Sequence, residues 1–144
     1  MNTIVSRHLL VPLTDSEHAW PALEHALKFF PSATITVLTV LNPIEAGYGQ
    51  RSNDQSSGES ATAEGQAEQL FEAATEQAEE YGTTINTAIA EGQPAQSIIE
   101  FAEEHDVDQI ILGTKGHSGV SRVLLGSVAE TVAQQSPVSV TIVR

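Results

Sequence analysis

The chain alternates short apolar runs, rich in β-branched residues, with segments whose apolar residues recur at helical spacing. The five apolar runs cover residues 8–13, 33–41, 83–90, 107–112 and 138–143. Strands that are separated by helices pair in parallel, and a parallel sheet needs helices on both of its faces. We therefore predict a single α/β domain over residues 1–144, with an open, doubly wound, five-stranded parallel sheet covered by helices on both faces.

The helices between the runs have recognisable boundaries. Residues 61–81 form the clearest one, because apolar residues from Ala63 to Tyr81 share one face and Gly82 supplies a stop signal. The first helix is predicted to run to about Phe30, with Thr14–Glu17 as capping residues before it. A third helix begins at Pro94, and a fourth follows Gly126–Ser127.

The segment from 42 to 60 differs from the rest of the chain. It contains Gly47, Gly49, Gly58 and four serines, with few apolar groups. This composition predicts a mobile loop inside the domain, and loops of this length are often lids. Plain disorder is the alternative interpretation of the same composition.

The charge balance excludes several classes of function. Nineteen acidic residues face six basic ones, for a net charge of −13, which disfavours nucleic acid and anionic membranes as partners. The absence of cysteine excludes disulfides, thiolate chemistry and cysteine-ligated metals. No apolar run approaches the roughly 18 residues of a membrane span, and the first residues lack the pattern of a signal peptide, so we expect a cytoplasmic protein. The acidity fits either a solvated coat or adaptation to high salt.

Glycines cluster after the fourth apolar run. Gly113 and Gly116 follow it, and Gly126–Ser127 precede the last helix. Glycine lets backbone N–H groups approach a ligand, and a helix N-terminus offers free donors with a partial positive charge. The stretch therefore predicts an anion site, with phosphate as the usual anion. Alternatively, the glycines and Ser127 only terminate the strand and cap the helix.

Ligands of doubly wound sheets bind at the carboxyl ends of the strands. In this chain those ends are 12–16, 40–43 and the stretch from Gly113 onward. The chain has no P-loop motif, no complete dinucleotide fingerprint, no G-x-S-x-G elbow and no H-E-x-x-H pair. We therefore predict no catalytic residue and no protein metal site.

At this point the chain resembles the universal stress protein family, in particular its ATP-binding branch. The spacing Gly113-x2-Gly116-x9-Gly126-Ser127 has the form G-x2-G-x9-G-[ST], and Asp15 follows the first run. The resemblance also extends through the second run and the closing helix and strand, so it covers nearly the whole chain. It implies the adenine nucleotide alpha hydrolase-like version of the predicted sheet.

The resemblance further implies an ATP site. Its positions are Pro12, Thr14, Asp15, Val40, Leu112, Gly113, Gly116, His117, Gly126, Ser127 and Val128. Pro12, Thr14 and Asp15 would lie beside the adenosine, with Asp15 accepting from the ribose or a nearby polar group. Val40 would contact adenine through its backbone. The positions from Gly113 to Val128 would hold the phosphates. Asp15 also fits the simpler role of a helix N-cap.

His117 departs from the family pattern, which often has arginine there. A neutral imidazole is a weaker phosphate partner, and Lys115 and Arg122 are the candidates to compensate. Because ATP brings negative charge to an acidic protein, we expect Mg²⁺ or Mn²⁺ on the phosphates, with Asp15 as a further contact.

Three functions are compatible with the sequence. The preferred one is an ATP-binding regulatory stress protein with at most slow hydrolysis, acting on an unidentified protein partner. The resemblance also implies a homodimer through the edge strand from Val138 to Val143. The second is a dimeric interaction protein that binds no nucleotide. The third is an enzyme that activates a substrate with ATP.

Overall fold

A computed structural model describes residues 7–13, 19–41, 63–113 and 127–143. Strands and helices alternate along these residues, as predicted. The elements are β1 His8–Pro12, α1 Trp20–Phe29, β2 Thr34–Leu41, α2 Ala63–Glu80, β3 Asn86–Glu91, α3 Pro94–Glu104, β4 Gln109–Gly113, α4 Ser127–Gln135 and β5 Ser139–Val143. The predicted loop 42–60 lies outside the described residues.

The five strands form one sheet in the order β3-β2-β1-β4-β5, and each neighbouring pair is parallel. The chain moves outward from β1 to β3 on one side, and then returns to place β4 and β5 on the other side of β1. This order confirms the doubly wound sheet. It also places the topological switch point between β1 and β4, where ligands of such sheets bind.

The helices divide between the two faces of the sheet, and each pair buries a separate apolar layer. The layer under α1 and α2 contains Leu9, Val11, Leu13, Ala19, Ala22, Leu23, Ala26, Leu27, Ile35, Val37, Ala74, Ala78 and Ile111. The layer under α3 and α4 contains Leu10, Leu38, Ile98, Ala102, Val107, Ile110, Leu112, Ala129 and Val132. Alternate residues of β1 and β2 enter opposite layers, as the two-residue period of a strand requires.

Helix boundaries agree with the sequence to within about two residues. Helix α2 begins at Ala63 and ends at Glu80, and Gly82 follows it with φ of 70°, in the left-handed region that glycine adopts readily. In α1 Pro21 lies in the first turn, where its missing N–H costs little, and Ala19 at the N-cap makes no side-chain capping bond. The predicted cap at 14–17 lies outside the described residues.

Strand β3 is the element on which the sequence prediction was least accurate. It begins at Asn86 instead of residue 83, because its pairing with β2 starts at the Thr36–Asn86 pair. Ile85 instead packs from the connecting segment against the layer under α1 and α2. Ile89, near the end of this edge strand, is 43% exposed. The alternation of Ile85, Thr87 and Ile89 therefore does not mark a buried face.

Side-chain hydrogen bonds tie β1 to its neighbours at the amino end of the sheet. His8 contacts the His105 carbonyl through Nδ1 at 3.1 Å and the Thr36 hydroxyl through Nε2 at 2.8 Å. Because a carbonyl only accepts, Nδ1 must carry a proton. The backbone N–H of His8 donates to Asp108 Oδ2 at 2.8 Å, and the Asp108 N–H donates to the His8 carbonyl at 2.8 Å. The amino ends of β1, β2 and β4 are thereby fixed together.

None of the described helices combines the length and the apolar composition that crossing a membrane requires.

Candidate functional site

The backbone ladder between β1 and β4 ends before Pro12, which has no N–H to continue it. Their recorded pairing covers Leu9 with Gln109 and Leu10 with Ile110. Beyond these pairs β1 stays in register with β2 as far as Pro12, and β4 stays in register with β5 as far as Gly113. From the carboxyl end of β1 the chain continues to α1 on one face of the sheet, and from that of β4 it continues to α4 on the other face. The candidate cleft is therefore the switch point between these two strand ends.

The exit of β1 is fixed against β2 by two long-range hydrogen bonds. The Leu13 N–H donates to the Leu38 carbonyl at 2.8 Å, and the Thr39 hydroxyl donates to the Leu13 carbonyl at 3.3 Å. Leu13 and Thr39 are 1% and 6% exposed, so these bonds are shielded from water. The sequence predicted the run 33–41, which contains Thr39, only as a strand. A hydroxyl inside a buried strand would have indicated this hydrogen bond, because a buried hydroxyl needs a partner.

Val40 lies near the carboxyl end of β2. It pairs with Ala90 of β3, and its half-buried side chain packs against the layer under α3 and α4. The next residue, Leu41, ends β2. Val40 is therefore held by the sheet on one side of the cleft, on the side of Pro12.

The other side of the cleft is formed by the end of β4 and the start of α4. Leu112 is 5% exposed and Gly113 ends β4, while Ser127 is exposed as the first residue of α4. Because α4 leads into β5 at the amino end of the sheet, its N-terminus points toward the carboxyl end. Half-buried Val128 packs on the layer below, so the first turn is anchored to the sheet.

One charge near this helix N-terminus opposes anion binding. Glu130 lies in the first turn of α4 and is exposed. A carboxylate there interacts favourably with the helix dipole but repels a phosphate placed at the same end. The described site positions themselves have no ionisable side chain to offset it.

The predicted site positions fall into two groups. Six are described, and all of them lie at strand carboxyl ends or in the first turn of α4: Pro12, Val40, Leu112, Gly113, Ser127 and Val128. Five lie outside the described residues: Thr14, Asp15, Gly116, His117 and Gly126. Both candidate compensating cations, Lys115 and Arg122, also lie outside them.

Titration and metal binding give little further chemistry in the described part of the chain. Partial loss of water and the carboxylates of Glu24 and Glu80 raise the pKa of the Tyr81 hydroxyl. Tyr81 follows α2 at the amino end of the sheet, away from the cleft. No group of three or more histidine, aspartate or glutamate side chains within the described ranges could hold a metal ion.

The fold defines an α/β protein with a doubly wound sheet, and its candidate ligand site is the switch point of that sheet. A family model fixes the identity further. The universal stress protein family matches residues 6–144, and the chain belongs to this family.

Individual relatives agree with this assignment. The chain is 32% identical over 141 residues to universal stress protein MJ0531 of Methanocaldococcus jannaschii, covering 96% of this chain and 82% of the relative. Its fold is similar to that of universal stress protein UspA from Lactobacillus plantarum, with a TM-score of 0.75, 25% identity and coverage of 99% and 100%. An Arabidopsis thaliana family protein with AMP bound has the same fold, with a TM-score of 0.72, 16% identity and coverage of 95% and 90%.

Proposed function

We propose that this chain binds ATP in the cleft between β1 and β4 and acts as a dimeric, nucleotide-dependent regulatory stress-response protein in the cytoplasm. The observation that carries the proposal is the switch point between β1 and β4, because the helices that follow these two strands lie on opposite faces of the sheet. At such a point a doubly wound sheet forms a crevice that offers backbone groups and a helix N-terminus to a ligand.

The two sides of the cleft suit the two ends of a nucleotide. The side formed by Pro12 and Val40 has apolar surface and strand backbone for adenosine. The side formed by Gly113 and Ser127 has glycine backbone, a hydroxyl and the first turn of α4 for phosphates. An Arabidopsis thaliana family member has AMP bound, which supports the adenine nucleotide as the ligand class. Thr14, Asp15, Gly116, His117 and Gly126 would complete the site.

The proposed site holds the nucleotide and does not consume it rapidly. Fast phosphoryl transfer needs a residue that orients water and cations that stabilise the developing charge. The six described site positions provide neither, since their side chains are apolar or hydroxyl groups. A nucleotide that stays bound can favour one conformation of the protein, which a protein partner then recognises.

A divalent cation belongs to the proposal because of charge. ATP brings several negative charges into a chain of net charge −13, with Glu130 in the adjacent helical turn. Mg²⁺ or Mn²⁺ on the phosphates would reduce this repulsion, with oxygen ligands supplied mainly by the nucleotide and Asp15 as a further contact.

The dimer belongs to the proposal because β5 lies at an edge of the sheet. Among the described strands it pairs only with β4, so its outer backbone groups are available to a second copy. Pairing across a two-fold axis through residues from Val138 to Val143 would satisfy them.

The nucleotide content of the purified protein tests the proposal. The protein is denatured, released nucleotide is identified, and ATP is then titrated into nucleotide-free protein with Mg²⁺ or with EDTA. We expect ATP in the released fraction, tighter binding with Mg²⁺, and loss of binding in Gly113→Val and Gly126→Val, where side chains would fill the glycine surface. Gly82→Ala, at the opposite end of the sheet, is the folded control.

The outcomes separate the three functions. No released nucleotide and no titratable binding would favour the interaction protein whose glycines are structural. Rapid ATP turnover on addition of a metabolite would favour the substrate-activating enzyme. Equal affinity in Mg²⁺ and EDTA would remove the cation from the proposal and leave the ATP site.

A further inference from the structure

The turn between β3 and α3 reaches the carboxyl end of β2. Strand β3 ends at Glu91, and the N–H of Gly92 donates to the Leu41 carbonyl at 2.9 Å. This bond belongs to the Leu41–Glu91 pair and closes the parallel β2–β3 ladder there. The accepting residue, Leu41, directly follows Val40, so this hydrogen bond fixes the end of β2 at the cleft.

The backbone at Gly92 is one that only glycine adopts without strain. Its φ is 136°, in the region that L side chains rarely enter. A Cβ there would also stand 3.0 Å from the Ser97 Oγ. Ser97 is 8% exposed, its N–H donates to the Gln93 carbonyl at 2.9 Å, and its hydroxyl is 3.5 Å from the Glu91 carbonyl. It has little room to move away.

A side chain at Gly92 therefore acts on β2 through the turn. Relief of the strain and of the close contact requires the peptide to rotate or the turn to shift. Either movement weakens the bond to Leu41 and releases the carboxyl end of β2. On the other side of the cleft, β4 is three strands away from β3, and α4 is linked to this turn only indirectly, through its packing against α3.

We infer that Gly92 is a positioning residue for nucleobase recognition, acting through its hydrogen bond to Leu41 on the backbone of Val40. The inference rests on the proposed ATP site and adds a determinant of base specificity to it. Gly92 does not contact the nucleotide. It holds the strand end whose backbone reads the base edge, and it has no role in holding the phosphates.

The ratio of GTP to ATP dissociation constants tests this role, because the two ligands share phosphates and differ in the base. Wild type is expected to prefer ATP. In Gly92→Ala we expect ATP binding to weaken about tenfold, or about 1.4 kcal/mol, and GTP binding to change less than twofold, so that the preference falls. Both constants are measured by competition at a temperature where far-UV circular dichroism shows folded protein.

Gly82→Ala is the matched control. Gly82 also has positive φ, at 70°, but a Cβ there meets nothing within 4 Å, and the residue lies at the other end of β3. It should lower the melting temperature and leave the ratio unchanged. If Gly92→Ala does not fold, the double variant with Ser97→Ala removes the close contact, retains the strained φ and should still reduce the preference at least threefold.

The results distinguish the inference from the function beneath it. Wild type that binds no nucleotide overturns the proposed function and, with it, the role of Gly92. Wild type that binds ATP and GTP equally, or a Gly92→Ala variant that keeps the ATP preference, overturns the role of Gly92 alone. Equal weakening of both nucleotides would also overturn it, because the turn would then act on the whole cleft.

Discussion

Helix α4 buries few side chains, and its stability can be tested at one residue. The helix has nine residues, too few to be stable alone, and its buried side chains are Ala129 and Val132. Val132 is fully buried against the sheet in the layer under α3 and α4. Val132→Ala removes its two methyl groups and should loosen the helix that presents Ser127 to the cleft.

The magnitude follows from burial. Two buried methyl groups are worth about 1.6 kcal/mol at about 0.8 kcal/mol each. A cavity of about 40 Å³, at about 24 cal/mol per Å³, adds about 1 kcal/mol if the helix does not close over it. We therefore expect the free energy of unfolding to fall by about 1.5–2.5 kcal/mol, and the melting temperature by about 4–8 °C for a domain of this size.

Urea unfolding with and without ATP measures both the loss and its link to function. Gln134→Ala, an exposed change in the same helix, should stay within about 0.5 kcal/mol of wild type. ATP at 100 times its dissociation constant should add about 2.7 kcal/mol to each folded protein and restore most of the Val132→Ala loss. A loss below about 0.5 kcal/mol in Val132→Ala would refute the reasoning, because α4 would then be held by something other than Val132.

Two further predictions concern the surface. The Tyr81 hydroxyl donates to Glu24 Oε2 at 3.3 Å, and the pKa of Tyr81 is raised in the folded protein. Because the unfolded chain therefore releases the Tyr81 proton at a lower pH, the free energy of unfolding should fall as pH rises through the titration of Tyr81. In Glu24→Gln the titration of Tyr81, followed by tyrosinate absorbance, should move to lower pH; an unchanged titration would contradict this. The second prediction concerns the dimer. Sedimentation should give a mass of about twice 15.3 kDa for wild type and for the control Ile89→Lys on the β3 edge. Ile142→Lys on β5 should give the mass of a monomer. A dimeric Ile142→Lys would remove β5 as the interface.

The sequence was sufficient for the type and order of the elements because their periods are distinct. The run from Thr34 to Leu41 is β-branched and apolar on both faces, as expected of a strand between two helical layers. Helix α2 repeats alanines at Ala67, Ala74 and Ala78, all of them fully or nearly fully buried. These patterns are local, so they can be recognised without knowing the rest of the fold.

Strand β3 shows where local patterns fail. Thr83, Thr84 and Ile85 have strand-like composition, yet the strand begins only where β2 offers a partner. Ile89 has the periodicity of a buried residue but lies on the edge strand, where it is 43% exposed. Burial in a sheet depends on position in the sheet order, which the sequence pattern alone does not determine.

In the candidate site, too, some features could be predicted from local patterns and others could not. Its strand-end positions could be predicted, because parallel strands place their carboxyl ends together and glycines mark one of them. The residues that fix those ends could not. The bonds from Leu13 to Leu38 and from Gly92 to Leu41 join segments 25 and 51 residues apart in the chain, and backbone groups leave no trace in composition. Only Gly92 leaves a signal, a glycine just before the proline of a helix start.

The amino end of the sheet contributes to stability, and the carboxyl end carries the candidate binding site. At the amino end, His8 ties β1 to Thr36 and Asp108, so the central strands cannot part there. At the carboxyl end the same strands lose their pairing after Leu10 and Ile110. Strand ends that the sheet already holds in place need little conformational energy to receive a ligand. Changes at the amino end should therefore alter unfolding without altering ligand selectivity, whereas changes at the Gly92 turn should alter selectivity at a modest cost in stability.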